Sequence, residues 1–382
     1  MVEPIYLDYN ATTPVAPEVA AAIAPFLHEA FGNPSSGHAR GRFARDAVAQ
    51  AREQVAALVG AAPAEIVFTG CATEANNLAL LGVARALGGA KRHLVISAVE
   101  HPAVMAPAAA LAGQGWELTV VAVDEYGRVS PEAVAAALRP DTSLVSVMHA
   151  NNEVGTIQPI EAISAITRPR GILLHTDAAQ SAGKIPLAVE ALGVDLLTLA
   201  GHKFYAPKGV GALFVRRGTS IGPVLYGADQ EGGLRPGTEN VPAIVGLGVA
   251  ARLARAHLAG TREQLRAMRD LLHRRLLAAV PGLELNGHPK QRLPNTLHVS
   301  FPGVSGRALL DAAADTVAAS VGSACHSGDD AVSGVLAAMG IGPERASGAV
   351  RLSVGVPTTA DEVEQAATAL AAAWSRLDRG GG

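Results

Sequence analysis

Residues 172–205, ILLHTDAAQSAGKIPLAVEALGVDLLTLAGHKFY, decide the fold of this chain. The segment opens with an apolar run that predicts a buried strand, crosses over, and closes with a second apolar run of the same kind. Asp177 and Gln180 leave the end of the first predicted strand, and His202 and Lys203 leave the end of the second. Four polar side chains are therefore expected where two buried strands end.

An acid and a lysine placed in this way favour one cofactor, pyridoxal phosphate (PLP). The amine of Lys203 can form a Schiff base with the aldehyde of PLP, and a buried carboxylate such as Asp177 can keep its ring nitrogen protonated. Without neighbours, each residue also has an ordinary interpretation. Lys203 could be a surface charge at a strand end, and Asp177 could cap the next helix.

Strands and helices alternate from about residue 65 to residue 215, which predicts βαβ units and a mostly parallel sheet. Polar groups follow several of these strands, and ligands bind open α/β sheets at that edge. The residues at these positions are Thr73, His101, Asn152, Asp177, Gln180, His202 and Lys203. Several polar groups at one edge support a binding site there more strongly than any one of them does alone.

The segment 65–82, EIVFTGCATEANNLALLG, predicts a strand, a tight turn and the start of a helix. The N–H groups and positive end of such a helix can hold an anion, and Thr73 could add a hydroxyl. Thr73 could equally be only a helix cap. Cys71, in the turn, is expected to be buried and structural.

The last hundred residues predict a second, smaller α+β unit. We expect strands over 297–303 and 349–355 and helices over 308–318 and 359–374, after a long helical region from 241 to 280 that is broken near Gly260. The predicted large domain is 15–255, and residues 1–14 with 256–382 form the small domain.

Composition narrows the classes of function. The chain has 382 residues, of which 49% are hydrophobic and 17% charged, and a net charge of −3. These values fit a globular protein and argue against nucleic acid or an anionic membrane as the main partner. The start of the chain lacks a signal peptide pattern, which predicts the cytoplasm. Two distant cysteines exclude a disulfide framework, and the scattered histidines predict no metal site.

Three further residues have reactive or charged side chains for which the neighbouring sequence suggests no structural role. Cys325 lies in a polar, small-residue loop, SVGSACHSGDD, where an exposed thiol is a candidate nucleophile. Arg351 lies inside an apolar strand and needs an anion, either a substrate carboxylate or a structural salt bridge. His101 could stack on a cofactor ring and move protons, or be an ordinary satisfied histidine.

Ten motifs run through nearly the whole chain in one order. They are YLDYNATTP, FGNPSS, FTGCATEANN, EHPAV, NNEVGTIQPI, HTDAAQSAGK, GHKFYAPKGVGAL, RPGTEN, SVGSACHSG and RLSVG. Together they resemble the NifS/IscS-like cysteine desulfurases. This family belongs to the class V aminotransferase group, has PLP fold type I with a large domain and a smaller α+β domain, and works as a homodimer.

The resemblance implies how PLP would be held. Lys203 would form the Schiff base, and Asp177 would pair with the pyridine nitrogen. Asn152 and Gln180 would flank the ring oxygen, and His101 would stack on the ring.

The resemblance also implies the phosphate and substrate contacts. Thr73 and His202 would hold the phosphate, with Thr238 reaching across from the partner subunit. Arg351, with the asparagine that flanks the ring oxygen, would hold the substrate carboxylate. Cys325 would attack the substrate sulfur, leaving a persulfide on the enzyme and alanine as product.

Some positions depart from the family pattern. Ala200 stands where a phosphate-binding serine is common, and Ala228 and Asp229 stand where further glycines are usual. Several motifs also resemble the selenocysteine lyases, so L-selenocysteine is the alternative substrate to L-cysteine. An ordinary aminotransferase and a non-catalytic scaffold that binds a sulfur-acceptor protein are further alternatives.

Overall fold

A computed structural model describes residues 3–87, 91–322 and 333–380 of the chain. The strands of the described part are β1 (Ile5–Tyr6), β2 (Ile66–Thr69), β3 (His93–Ser97), β4 (Glu117–Val121), β5 (Thr142–Ser146), β6 (Leu173–Asp177), β7 (Leu196–Ala200), β8 (Gly211–Val215), β9 (Glu284–Asn286), β10 (Thr296–Ser300), β11 (Val317–Ala318) and β12 (Ala349–Ser353). Its α-helices are α1 (Pro17–His28), α2 (Ala39–Val59), α3 (Ala72–Leu87), α4 (Pro102–Ala112), α5 (Pro131–Ala137), α6 (Ile160–Thr167), α7 (Val189–Leu192), α8 (Val241–Ala279), α9 (Gly306–Ala313), α10 (Gly334–Ala338), α11 (Pro343–Ser347) and α12 (Ala360–Gly380).

The main sheet has seven strands in the order β2-β8-β7-β6-β5-β3-β4. The five strands from β7 to β4 pair in parallel, and β8 runs antiparallel to both of its neighbours. The two strands of the opening segment, β6 and β7, are adjacent in the middle of this sheet. The prediction of a mostly parallel sheet is confirmed, and the polar residues after β6 and β7 share one edge.

Helices cover both faces of the sheet because successive strand residues point to opposite sides. In β3, Val95 belongs to one core cluster, which also contains residues of α2 and α8. Leu94 and Ile96 pack in the other cluster, beneath α3 and α4. Fully burying one such side chain stabilises the fold by roughly 1.5–3 kcal/mol, so the two-sided core holds the site edge rigidly.

Helix α8 is continuous over 39 residues, so the predicted break near Gly260 is wrong. A glycine costs about 1 kcal/mol in a helix, which good helix formers on either side can offset. Gly248, in contrast, packs closely: a Cβ there would lie 2.6 Å from the Cα of Ala51 in α2. The first half of α8 contributes Leu247 to the core of the main sheet, and its second half contributes Leu272 to a separate core.

That separate core belongs to a smaller group of strands and helices. Strands β12, β10 and β9 form an antiparallel sheet, and β1 pairs in parallel with β11. The predicted helix over 308–318 is too long, since α9 ends at Ala313 and Val317–Ala318 form β11. The first strand of the chain thus joins residues more than three hundred positions later. The domain boundary at 255 stays a prediction.

Within the described residues, α8 is long and apolar enough to cross a membrane by length and composition alone. Of its most apolar window, 44% is buried inside the fold. Core helices of globular proteins satisfy the same criterion.

Candidate active site

Asp177 and Lys203 come to one edge because β6 and β7 are adjacent and parallel. Asp177 is the last residue of β6 and pairs with Thr198 of β7. Lys203 follows β7 in a short 3₁₀ turn, Gly201–Lys203. The sequence prediction that both leave neighbouring strand ends is confirmed.

The amine of Lys203 is held by the N-terminal segment. Its Nζ donates to the carbonyl oxygen of Asn10 at 2.6 Å and to that of Ala11 at 2.8 Å. The residue is half-buried. Because both of these acceptors are uncharged, they orient the amine without holding it as strongly as a carboxylate would.

The Asp177 carboxylate is buried and oriented by a second side chain. Its Oδ2 accepts from Nδ2 of Asn76 at 2.7 Å, and its Oδ1 accepts from the backbone N–H of Ala179 at 2.9 Å. Asn76 is fully buried, and among the described residues its own Oδ1 has no partner. Sequence reasoning missed Asn76, although it lies in the quoted motif FTGCATEANN.

His101 is the N-cap of α4, and its Nδ1 accepts from the backbone N–H of Ala103 at 3.1 Å. Burial, together with the positive charge of Lys203, lowers the pKa of His101, while the carboxylate of Asp177 opposes this shift. The three predicted residues therefore lie within electrostatic reach of one another. A lowered pKa keeps the imidazole neutral at neutral pH, the form that can accept a proton.

Glu100 lies beneath this site, and sequence reasoning assigned it no role. Its Oε1 accepts from the hydroxyl of Ser97 and from the N–H of Met148, and its Oε2 has no partner among the described residues. Burial above all, opposed by these two bonds, raises the pKa of Glu100 to about 8. The carboxyl group is therefore largely protonated at neutral pH.

The predicted phosphate site has the expected strand, turn and helix. Thr73 is exposed in the first turn of α3, and Cys71, just before the helix, is exposed rather than buried as predicted. His202 Nδ1 lies 3.2 Å from Oγ1 of Thr12. Burial, followed by the charge of Lys203, lowers the pKa of His202 to about 4, so it is a neutral hydrogen-bonding group.

Arg351 is 3% exposed. Of the two anionic partners that the sequence allowed, a substrate carboxylate or a structural salt bridge, it forms the salt bridge. Its guanidinium donates to Asp8 at 2.8 Å, to the Ser320 hydroxyl at 3.0 Å and to the carbonyl oxygen of Asn152 at 3.1 Å. Its Nε is buried and has no partner among the described residues. Arg351 therefore keeps one buried donor unsatisfied by the residues that the structure describes.

Asn10 joins these groups and was not recognised from the sequence as a site residue. It is fully buried, and its amide contacts Asn152, Asn295 and Thr296. Its carbonyl oxygen accepts from Lys203 and also from Nε2 of Gln180 at 2.9 Å. A buried Asn in YLDYNATTP was the available signal, but a backbone acceptor leaves no trace in a sequence.

Two predicted residues lie away from these contacts or outside the described ranges. Thr238 is exposed on the loop before α8. This loop is tied to the phosphate turn, since Arg235 pairs with Glu74 at 2.8 Å and Glu74 accepts from the N–H of Gly70. Cys325 falls in 323–332 and lies outside the described residues.

The donor set fits PLP. A half-buried amine, a buried carboxylate at the adjacent strand end and a helix start with an exposed hydroxyl match its aldehyde, ring nitrogen and phosphate. Within the described ranges, no group of three or more His, Cys, Asp or Glu side chains could hold a metal ion.

Comparison with known proteins agrees with this geometry. The profile of the family described as "Aminotransferase class-V" matches residues 5–366. The chain belongs to the class-V aminotransferase family. The resemblance that the ten motifs indicated is confirmed at this level.

Similar members of the class-V family carry one activity in their names. The cysteine desulfurase IscS of Anaeromyxobacter sp. (strain Fw109-5) is 49% identical over 364 residues, 94% of this chain and 90% of that protein. The cysteine desulfurase IscS of Dictyoglomus turgidum is 45% identical over 360 residues, 94% of this chain and 91% of that protein.

A solved structure of a NifS-like protein confirms the predicted α/β fold of PLP type I. It has a TM-score of 0.92 and 37% identity, and the match covers 98% of this chain and all (100%) of that one.

Proposed function

We propose that this protein is a PLP-dependent cysteine desulfurase, which converts L-cysteine to L-alanine and keeps the sulfur as a persulfide on Cys325. One observation carries the proposal: the amine of Lys203 and the carboxylate of Asp177 stand at adjacent strand ends. They do so in a chain that is 45–49% identical to cysteine desulfurases over 94% of its length.

The residues around the lysine would divide the work of binding. Lys203 would hold the cofactor covalently, Asp177 its ring nitrogen, and Asn152 and Gln180 its ring oxygen. When bound, PLP would draw electrons away from the Cα of the amino acid. His101 would cover the ring.

The remaining contacts would hold the phosphate and the substrate. Thr73, His202 and, from the partner of a homodimer, Thr238 would hold the phosphate. Arg351 would bind the substrate carboxylate.

The atoms and electrons of the proposed reaction balance. The Lys203 amine, released from its carbonyl partners, would take the proton from Cα, and neutral His101 would take or return a proton. The Cys325 thiolate attacks the substrate sulfur, the Cβ–S bond breaks, and Cβ gains a proton. Cysteine and an enzyme thiol thus become alanine and an enzyme persulfide, with no external oxidant.

The partners follow from this chemistry. A thiol reductant or a sulfur-acceptor protein must remove the persulfide before a second turnover. We place the enzyme in the cytoplasm, where an unpaired reactive thiol stays reduced.

The test measures alanine release from L-cysteine by the PLP-loaded enzyme, with L-selenocysteine as a parallel substrate. We expect Lys203→Ala to lose the visible absorbance of bound cofactor and all alanine release. We expect Cys325→Ser to keep the absorbance but form no persulfide. Cys71→Ser is the control for the identity of the thiol, since Cys71 is the other cysteine and is exposed, and it should still form the persulfide on Cys325.

Four outcomes would contradict the proposal. Full-rate desulfuration by Cys325→Ser would overturn the nucleophile. Bound cofactor without alanine release would favour a non-catalytic scaffold, and a requirement for a keto acid would favour an aminotransferase. Faster release from selenocysteine, with little from cysteine, would favour the lyase.

A further inference from the structure

Lys184 is a buried lysine beside the candidate active site to which the proposed reaction gives no role. It lies in the turn after β6, and its side chain is 5% exposed. Its Nζ donates to Oε1 of Gln180 at 3.0 Å. Burying an amine is costly, so a lysine in this place calls for an explanation beyond packing.

The bond from Lys184 decides which way the Gln180 amide points. An ammonium group has only donors, so it must face the amide oxygen and never the amide nitrogen. The Nε2 group is therefore turned to the opposite side, where it donates to the Asn10 carbonyl oxygen at 2.9 Å. Lys203 donates to the same oxygen at 2.6 Å.

We propose that Lys184 is a positioning residue that acts through Gln180, fixing the amide so that its N–H donors face the Lys203 side of the site. The proposal rests on the proposed function, in which that side receives the ring oxygen of PLP. Lys184 and the Asn10 carbonyl oxygen hold the amide from its two sides, so without Lys184 only one of these two contacts fixes its orientation.

The surroundings of Lys184 agree with this role. Burial first, and then the charges of Lys203 and Arg351, lower the pKa of Lys184 to about 7. Tyr9 and Tyr205, which line a small cavity beside it, are phenols with raised pKa values, mainly because they are buried, and so remain uncharged. Only the protonated amine lacks an acceptor, so Lys184 fixes the orientation of Gln180 most firmly below about pH 7.

The test is a double-mutant cycle between Lys184 and Gln180. The affinity for PLP and the absorbance of bound PLP are measured for each variant. Lys184→Met keeps an unbranched buried side chain and removes the donor. We expect it to weaken PLP binding about tenfold, the loss of roughly one oriented hydrogen bond. In a Gln180→Leu background the same change should alter affinity less than about twofold, because the group through which it acts is gone.

Two further variants separate orientation from packing and from charge. Lys184→Arg keeps a side chain that has only donors and should keep most of the affinity. Lys208→Met removes an exposed lysine near His202 and should leave the affinity unchanged. The pH midpoint of the cofactor absorbance should shift by about half a unit in Lys184→Met and not in Lys208→Met. If Lys184→Met does not fold, Lys184→Leu takes its place.

The outcomes are distinguishable. An equal loss of affinity from Lys184→Met in both backgrounds, or no loss in wild type, overturns the role of Lys184 while the cofactor still binds. If the wild-type protein does not bind PLP at all, the proposed function fails first, and this inference fails with it.

Discussion

At the residue scale, the site depends on ionisable groups whose burial selects their protonation state. Glu100 is kept protonated by desolvation, and His101 and His202 are kept neutral by burial next to Lys203. The neutral groups leave Asp177 and Lys203 as the charged side chains at the two strand ends. The sequence pointed to His101 and His202 but not to Glu100, because burial of a carboxyl group depends on packing that no local pattern records.

Glu100 gives a prediction for stability. Its folded-state pKa of about 8 lies above its ordinary value of 4.5, so the unfolded chain loses this proton at lower pH than the folded protein. The contribution of Glu100 to the free energy of unfolding is therefore at its full value below about pH 4.5. This contribution is lost as pH rises towards 8, because the unfolded chain can then ionise the group. The free energy of unfolding of Glu100→Gln should equal that of wild type at pH 4.5. At pH 8.5 it should exceed the wild-type value by roughly 2–4 kcal/mol.

Denaturant unfolding at the two pH values measures this difference. Glu53→Gln, at an exposed position of α2, is the control and should show no such dependence on pH. A constant difference between Glu100→Gln and wild type at all pH values would contradict the buried, protonated state.

At the element scale, the sequence predicted the strands and helices of the main sheet well because apolar periodicity reports burial directly. Sequence-based prediction failed where one residue type, glycine, occurs in two different structural settings. Gly248 and Gly260 both lie in α8, yet Gly248 packs against α2, whereas a Cβ added at Gly260 would meet no described atom within 4 Å. The strand β11 was missed because two residues are too few to show a period.

The two glycines give opposite predictions. Gly248→Ala should destabilise the protein by about 1–3 kcal/mol, because its methyl group would overlap Ala51. Gly260→Ala should stabilise it by about 0.5–1 kcal/mol, because alanine restricts the unfolded chain and favours the helix. The free energy of unfolding in denaturant measures both. Destabilisation by Gly260→Ala would mean that α8 is not continuous there.

At the scale of the whole molecule, the site is assembled from distant segments. Asn10 brings the start of the chain to Lys203 and to Asn295, which stands just before β10. The sequence predicted that Asp177, Gln180 and Lys203 follow the ends of two strands, but it predicted neither Asn10 nor the connections that join these residues. The hydrogen bonds of Asn10 to Gln180 and to Ser353 span 170 and 343 positions, and only the folded chain brings these groups together.

The proposed homodimer gives a prediction at this scale. In a hybrid dimer of one Lys203→Ala chain and one Thr238→Val chain, one site would contain both Lys203 and the partner's Thr238. If Thr238 acts across the interface, this hybrid should regain about half of the wild-type activity, one intact site of two. The hybrid is isolated with two different tags, and each homodimeric variant is the control. Activity no higher than that of the Thr238→Val homodimer would place Thr238 in its own chain's site.

The two carbonyl oxygens that hold the Lys203 amine have a consequence for how this site can change during evolution. Any amino acid at positions 10 and 11 supplies a carbonyl group, so no single substitution can delete these acceptors. Mutation can only shift them, by altering the amide contacts of Asn10 with Asn295 and Thr296. Evolutionary changes in the position of the Lys203 amine should therefore arise through substitutions at Asn295 and Thr296, which are distant from Lys203 in the sequence but close to it in the fold.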